Sequence, residues 1–344
     1  MILENIKRRI NLIYMIIISI RPIRKAILSW IFDRNTEVIF KSKKNKFNNI
    51  ILNRYNLYIL YILYILLKIE KYNININKIS PDKVNLKFYN HIFEIPKSPD
   101  ILNMIMDFFK ILHQGKISII SIEENNVMIN IKNLNLTLKA PLSLLAPAIS
   151  SMLSKKYYGT WYWDIDVKDK VVVDVGAYIG DSALFFASRG ARIVYAYEPS
   201  KELYEIAIEN CSKYNNIILH NFGLSCSEKY AFLTGFGTGL SVNELTQNGE
   251  KVLLKSFNEE LRKIIRKEGG IDVLKLDCEG CEWEFLNCLD EELIKHIQTI
   301  VVEIHGKDHN VFLKKLEKYG FKLIKKRKLF GYKDIAMYTL QKIY

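Results

Sequence analysis

The pattern of apolar and polar positions separates the chain into two regimes. In the second half, short apolar runs end abruptly on polar residues: Val171–Val173, Ile193–Tyr197, Ile217–Leu219, Val273–Leu276 and Ile300–Ile304. Runs this short and rich in β-branched residues predict strands buried on both faces, as in a parallel sheet. Helices are expected between them over 183–188, 201–213, from near Glu282, and over 308–319, with closing strands at 321–325 and 335–340. Residues 229–234 and 251–256 read as a hairpin pair. The glycine-bearing stretch between them has the length of a lid or substrate loop. KKRK at 325–328 reads as an exposed hairpin turn.

The first half follows a different pattern. Ile10–Ile20 and Leu57–Leu67 are apolar runs, the second apolar on every face, yet both are shorter than the ~20 residues a membrane span needs. They predict helices packed on the body or lying on a membrane surface. Thr36–Lys41 reads as a strand and 41–46 as a turn. Residues 85–95 read as two strands around Tyr89–Asn90–His91. Residues 99–112 predict an amphipathic helix with Ile101, Met104, Ile105 and Phe108 on one face. A hairpin is expected over 117–131. The domains expected are a small α+β domain over 1–155 and a larger α/β domain over 156–344. The aromatic segment 157–164 would pack their junction or line a cleft.

Charge sharpens this division. Of the formal net charge of +13, residues 1–150 carry +12, from 22 Lys and Arg against 10 Asp and Glu. A basic half of that size faces an anionic partner: lipid headgroups, nucleic acid or an acidic glycan. The five cysteines all lie after residue 210. An odd count argues for a reducing compartment and against a disulfide framework. Cys278 and Cys281 are then expected as small buried side chains. The location expected is cytoplasmic, peripheral to a membrane where the basic half docks.

The chemistry gathers where the apolar runs stop. After Val171–Val173 come Asp174, Gly176, Ala177, Gly180 and Asp181. Gly176 and Gly180 bracket a turn, and Asp181 and Ser182 offer an N-cap to the next helix. The next run ends on Glu198, placed to accept both hydrogen bonds of a ribose diol. The third ends near Asn221, a candidate for an adenine edge. The fourth ends on Asp277 and Glu279, and the fifth on Glu303 and His305. In an open parallel sheet these tips share one edge, where ligands bind. The turn is G-x-x-x-G and not the dinucleotide G-x-G-x-x-G. An acid at Asp174 suits a ligand with an amino acid end and a positive charge, as in S-adenosylmethionine (SAM).

The segments VVVDVGAYIGDSALFFA, VYAYEP, HNFGLS, DVLKLDCEGCEWEFL and VVEIHG, in that order, resemble the FkbM-type SAM-dependent methyltransferases over roughly residues 155–342. Tyr178 departs from the pattern, which usually has Asn there. The resemblance implies a class I methyltransferase fold, Rossmann-like with a seven-stranded mostly parallel sheet, and O-methylation of a glycan, glycolipid or small-molecule hydroxyl. SAM is the implied cofactor. Asp174, Gly176, Ala177, Gly180, Asp181, Glu198 and Asn221 form the candidate cofactor site. His305 is the candidate general base, with Asp277 beside it orienting the base or the hydroxyl. A divalent cation held by these acids is a rival chemistry and is not assigned. Two other functions compete: an RNA methyltransferase using the basic half, which lacks a recognisable RNA-binding motif, and a non-catalytic SAM-fold scaffold.

Overall fold

The computed structural model describes residues 37–38, 50–51, 72, 74–79, 83–154, 164–234, 241–243, 249–306, 308–328 and 334–343. The runs Ile10–Ile20 and Leu57–Leu67, the turn at 41–46 and most of the aromatic segment 157–164 lie outside them. Among the described residues, no helix is long and apolar enough to cross a membrane. The chain forms two compact units, Met1–Gln114 and Gly115–Tyr344. That division falls well before residue 155.

In the first unit, β1 (Glu37–Val38) pairs antiparallel with β2 (Ile50–Ile51). Strands β3 (Asn75–Ile79), β4 (Lys83–Phe88) and β5 (His91–Pro96) form an antiparallel sheet, followed by helix α1 (Pro99–His113). Period-two alternation buries Val84, Leu86 and Phe88 of β4 and exposes Lys83 and Lys87. Helix α1 begins on a proline, whose missing N–H is no loss there. It buries Ile101, Ile105 and Phe108, and Phe109 meets Phe88 edge-on at 4.8 Å.

The second unit starts with an antiparallel meander, β6 (Ile117–Glu123), β7 (Asn126–Ile131) and β8 (Leu136–Pro141), leading into α2 (Leu142–Leu153). Then come β9 (Val171–Val175), α3 (Asp181–Ser188), β10 (Ile193–Tyr197), α4 (Lys201–Cys211) and β11 (Ile217–His220). A side sheet follows, made of β12 (Gly223–Ser225), β13 (Lys229–Thr234), β14 (Ser241–Asn243) and β15 (Glu250–Ser256). The chain continues through α5 (Phe257–Glu268), β16 (Ile271–Leu276), α6 (Cys281–Cys288), α7 (Glu291–Ile294), β17 (Ile297–His305), α8 (His309–Glu317), β18 (Phe321–Lys328) and β19 (Ile335–Lys342).

The main sheet has seven strands in the order β11-β10-β9-β16-β17-β19-β18. It is Rossmann-like and flanked by helices. Only β19 runs antiparallel to its neighbours. The strand order reverses between β9 and β16, the place where an open α/β sheet parts to admit a ligand. Val171, Val173 and Val175 of β9 pack with Leu274, Leu276, Ile300 and Val302 in one apolar layer, closed by Phe257, Phe285 and Phe312.

Two local expectations are corrected. KKRK is the end of strand β18, paired with β19, and not a turn. The N-cap of α3 is Gly180, at φ +82°, so Asp181 and Ser182 stand inside its first turn.

Candidate active site

The loop after β9 is held by the end of β10. Gly176 and Ala177 donate their N–H groups to the Tyr197 carbonyl at 3.0 Å each. Tyr178 N–H donates to Glu198 Oε2 at 2.9 Å. Gly176 has no freedom to change: its φ is +85°, and a Cβ there would lie 1.9 Å from the Asp277 carbonyl oxygen. The loop thus presses directly on the tip of β16. Tyr178 sits at φ +52°, a left-handed conformation that Asn tolerates better than Tyr. Its hydroxyl donates to the Leu144 carbonyl of α2 at 3.2 Å, so the meander and its helix reach the loop. Asn210 links the same pieces: its side chain accepts from Lys139 N–H at 2.8 Å and donates to the Ile179 carbonyl at 2.9 Å.

The candidate cofactor residues fall into separate environments. Asp174 is fully enclosed. Its Oδ2 accepts from the Ser182 hydroxyl at 2.6 Å and its Oδ1 from Lys275 Nζ at 2.8 Å. Any influence of Asp174 on a ligand runs through Ser182 and the loop, not through an open carboxylate. Asp181 is buried, and desolvation pushes it up to about 7, with the Lys275 charge opposing. Glu198 is buried at the β10 end. Its oxygens accept N–H groups from Ser200 and Tyr178, each at 2.9 Å. Burial still pushes it up to about 8. Each of its oxygens keeps a further lone pair. Asn221 is exposed, and its amide donates to the Glu198 and Pro199 carbonyls at 3.1 and 3.2 Å.

Asp277 stands opposite the loop. Its N–H donates to the Val175 carbonyl at 3.1 Å, and its carboxylate lies 3.8 Å from Lys275 Nζ. His305 is drawn instead into a ring of glutamates. Its Nδ1 is 3.0 Å from Glu282 Oε1, and its Nε2 is 3.3 Å from Glu279 Oε2 and 3.6 Å from Glu303 Oε1. Burial by itself would lower the imidazole, but the Glu282 hydrogen bond and the charges of Glu279 and Glu303 carry it up to about 10. At neutral pH His305 is therefore an imidazolium, its Nδ1–H bonded to Glu282 and its Nε2 side facing the Glu279 and Glu303 carboxylates, and it has no lone pair to accept a proton. Burial pushes Glu279 up to about 7, against the pull of the His305 charge. Glu282 fixes the arrangement. It is fully buried, and its other oxygen accepts the Gly280 N–H at 2.8 Å. Trp283 Nε1–H donates to the His305 carbonyl at 2.7 Å.

Lys275, at the centre of this edge, is absent from the residues that sequence reasoning selects. Its trace was a lysine inside an otherwise apolar strand. The cysteines also depart from expectation: Cys226 is bonded to Cys288 and Cys278 to Cys281, leaving Cys211 as the free thiol. Among the described residues, no group of His, Cys, Asp and Glu is arranged to hold a metal ion.

A methyltransferase FkbM domain occupies residues 174–323. Its presence supports SAM-dependent methyltransferase activity. The chain is similar to AMB antimetabolite synthetase AmbE of Pseudomonas aeruginosa, with 27% identity over 180 residues, 40% of this chain and 8% of that protein. It therefore spans less than a tenth of that relative's length. It is also similar to uncharacterized protein 65 of Sulfolobus islandicus filamentous virus, with 28% identity over 159 residues, 45% of this chain and 73% of that one. Similar solved structures include the Methanococcus jannaschii fibrillarin pre-rRNA processing protein, at 15% identity and TM-score 0.33, covering 66% of this chain and 97% of that chain. Another is magnesium protoporphyrin IX methyltransferase of Synechocystis PCC 6803 with bound SAM, at 12% identity and TM-score 0.35, covering 59% of this chain and 83% of that chain.

Proposed function

We propose that this chain, which carries an FkbM methyltransferase domain over residues 174–323, methylates a hydroxyl group of a glycan, glycolipid or small molecule. The observation that carries the reading is the contact of Glu279 with His305 at the tips of β16 and β17, on the sheet edge that also bears the glycine loop. The donor set fits SAM. Glu198 has lone pairs left for the ribose diol. Asp181 and the start of α3 suit the amino acid end, beside the loop of Gly176, Ala177 and Gly180. Asn221 has its amide carbonyl left for the base. When bound, SAM supplies an electrophilic methyl group.

The chain's own residues then position the acceptor and take its proton. A neutral hydroxyl is a weak nucleophile until a base accepts its proton, and a base near neutrality does this best. Glu279 meets that requirement, while His305, the base expected from sequence, keeps its proton and holds Glu279 in place. Glu282 orients His305. Asp277 positions the acceptor.

The basic first 150 residues support a role in acceptor choice or in docking on an anionic surface, and their charge also favours RNA as the second acceptor class. Methyl transfer from labelled SAM to fractionated glycans, lipids and RNA tests the reading. Label in the glycan or glycolipid fraction is the expected result. Label in RNA alone would replace the acceptor, and failure to bind SAM would overturn the activity.

A further inference from the structure

Both ends of α6 are tied by cysteine pairs. Cys281, its first residue, is bonded to Cys278 across a turn containing Glu279 and Gly280. Cys288, its last, is bonded to Cys226, just after β12. The Cα atoms are 5.5 and 5.4 Å apart, separations that a disulfide spans. The two bonds have different consequences. Cys226–Cys288 joins positions 62 residues apart and fastens the helix end to the side sheet. Cys278–Cys281 closes a loop of sequence separation 3, which restricts the unfolded chain little, so its effect falls on the turn.

That turn is the one carrying the chemistry. Glu279 is held at φ +55° and Gly280 at φ +122°. A left-handed backbone is strained for a residue with a Cβ, so it persists only where its surroundings enforce it. Held there, Glu279 reaches His305 Nε2 at 3.3 Å. The turn is also partly open to solvent, so a small thiol reagent can reach it.

We propose that Cys278–Cys281 is a redox-controlled clasp on the catalytic turn: bonded, it holds Glu279 against His305, and opened by a dithiol it releases Glu279 and stops methyl transfer. The proposal rests on the reading of Glu279 and His305 given above. In the opening step the dithiol passes two electrons and two protons to the cysteine sulfurs. The S–S bond breaks, two thiols form, and the reductant leaves as its own disulfide. Phe285 and Leu286 in the core and the Lys229–Glu284 ion pair keep α6 docked even when Cys226–Cys288 is reduced as well, which confines the change to the turn.

The test uses the full chain, oxidised and then treated with dithiothreitol. Alkylation and mass spectrometry report which thiols are free, NMR follows the His305 ring against pH, and labelled SAM follows methyl transfer. Release of Cys278 and Cys281 should lower the pH at which His305 gives up its proton. It should also reduce turnover about 10²-fold or more, while SAM affinity stays unchanged. The Cys278→Ser/Cys281→Ser double variant should match the reduced state, and Cys226→Ser/Cys288→Ser should keep the dithiol response. Free Cys278 and Cys281 thiols in the oxidised protein, or an identical His305 titration in both states, would overturn the clasp. A shifted His305 titration with no methyl transfer in either state would uphold the clasp and sink the catalytic reading instead.

Discussion

Lys275 Nζ lies 2.8 Å from Asp174 Oδ1, and neither side chain is more than 2% exposed. The two residues are register partners on adjacent parallel strands, β9 and β16. The ion pair therefore sits at the reversal of strand order, under the loop that leads to α3. Lys275 also donates to the Gly176 carbonyl at 3.1 Å, so one buried ammonium holds a strand tip and the start of the loop together.

Lys275→Met should destabilise the protein by about 3–5 kcal/mol, because it leaves the Asp174 carboxylate buried without its cation. Lys275→Met combined with Asp174→Leu should recover much of that loss, since no buried charge then stands alone. Urea denaturation of Lys275→Met, Asp174→Leu and the double variant measures the coupling. If the two single losses simply add, the pair is not a unit.

Gly176→Ala and Gly280→Ala separate steric exclusion from backbone strain. At Gly176 the added Cβ meets the Asp277 carbonyl as well as a positive φ, whereas at Gly280 nothing lies within 4 Å and only φ +122° opposes it. Gly176→Ala should displace the loop and abolish SAM binding by calorimetry. Gly280→Ala should bind SAM normally and lose about 1–2 kcal/mol of stability. Equal SAM affinity in the two variants would contradict this placement of the loop.

Glu198→Ala should weaken SAM binding by about 1–3 kcal/mol, the usual cost of leaving buried hydrogen-bonding partners unsatisfied. It also strips acceptors from the Tyr178 and Ser200 N–H groups, so the loop itself loosens. Glu198→Gln keeps one carbonyl acceptor and should lie between wild type and Glu198→Ala. Unchanged calorimetric affinity in Glu198→Ala would remove the ribose from this residue.

The strands of the main sheet were legible because β-branched runs ending on acids mark them locally. Helix α5 also left signals, Ser256 three residues before Glu259 and Gly269 after the last turn. It lies between two stronger patterns, the strand runs on either side, which mask it. Helix α2 could not be read that way. It is buried nearly all round, has Pro147 inside it and has no side-chain cap, so it shows no helical stripe. The cysteine pairing was hidden for a different reason. Cys226 and Cys288 meet only once the side sheet and α6 are packed, and an odd count says nothing about which four residues pair. Lys275 and Asp174, 101 residues apart, become partners only through strand register. The charge state of His305 likewise depends on carboxylates from both β16–α6 and β17.

The pH profile decides which member of the Glu279–His305 pair takes the proton. Glu279, pushed up to about 7, must be ionised to act, so turnover should rise as pH increases through that value. His305, carried up to about 10, should lose its proton near there, and turnover should fall again. The stability linkage has the same sign for both groups. His305 contributes stability fully present below its unfolded value of 6.5 and lost as pH rises through about 10. Glu279 is a carboxyl raised on folding, so its contribution is lost as pH rises from 4.5 through about 7. Glu279→Gln should lower turnover by about 10²–10⁴-fold with SAM affinity intact, and any residual activity should lack the acidic limb. His305→Ala should abolish the alkaline limb and move the acidic limb upward, because Glu279 loses the cation that favours its charge. If the acidic limb instead vanishes in His305→Ala and survives in Glu279→Gln, His305 is the base and Glu279 only holds it.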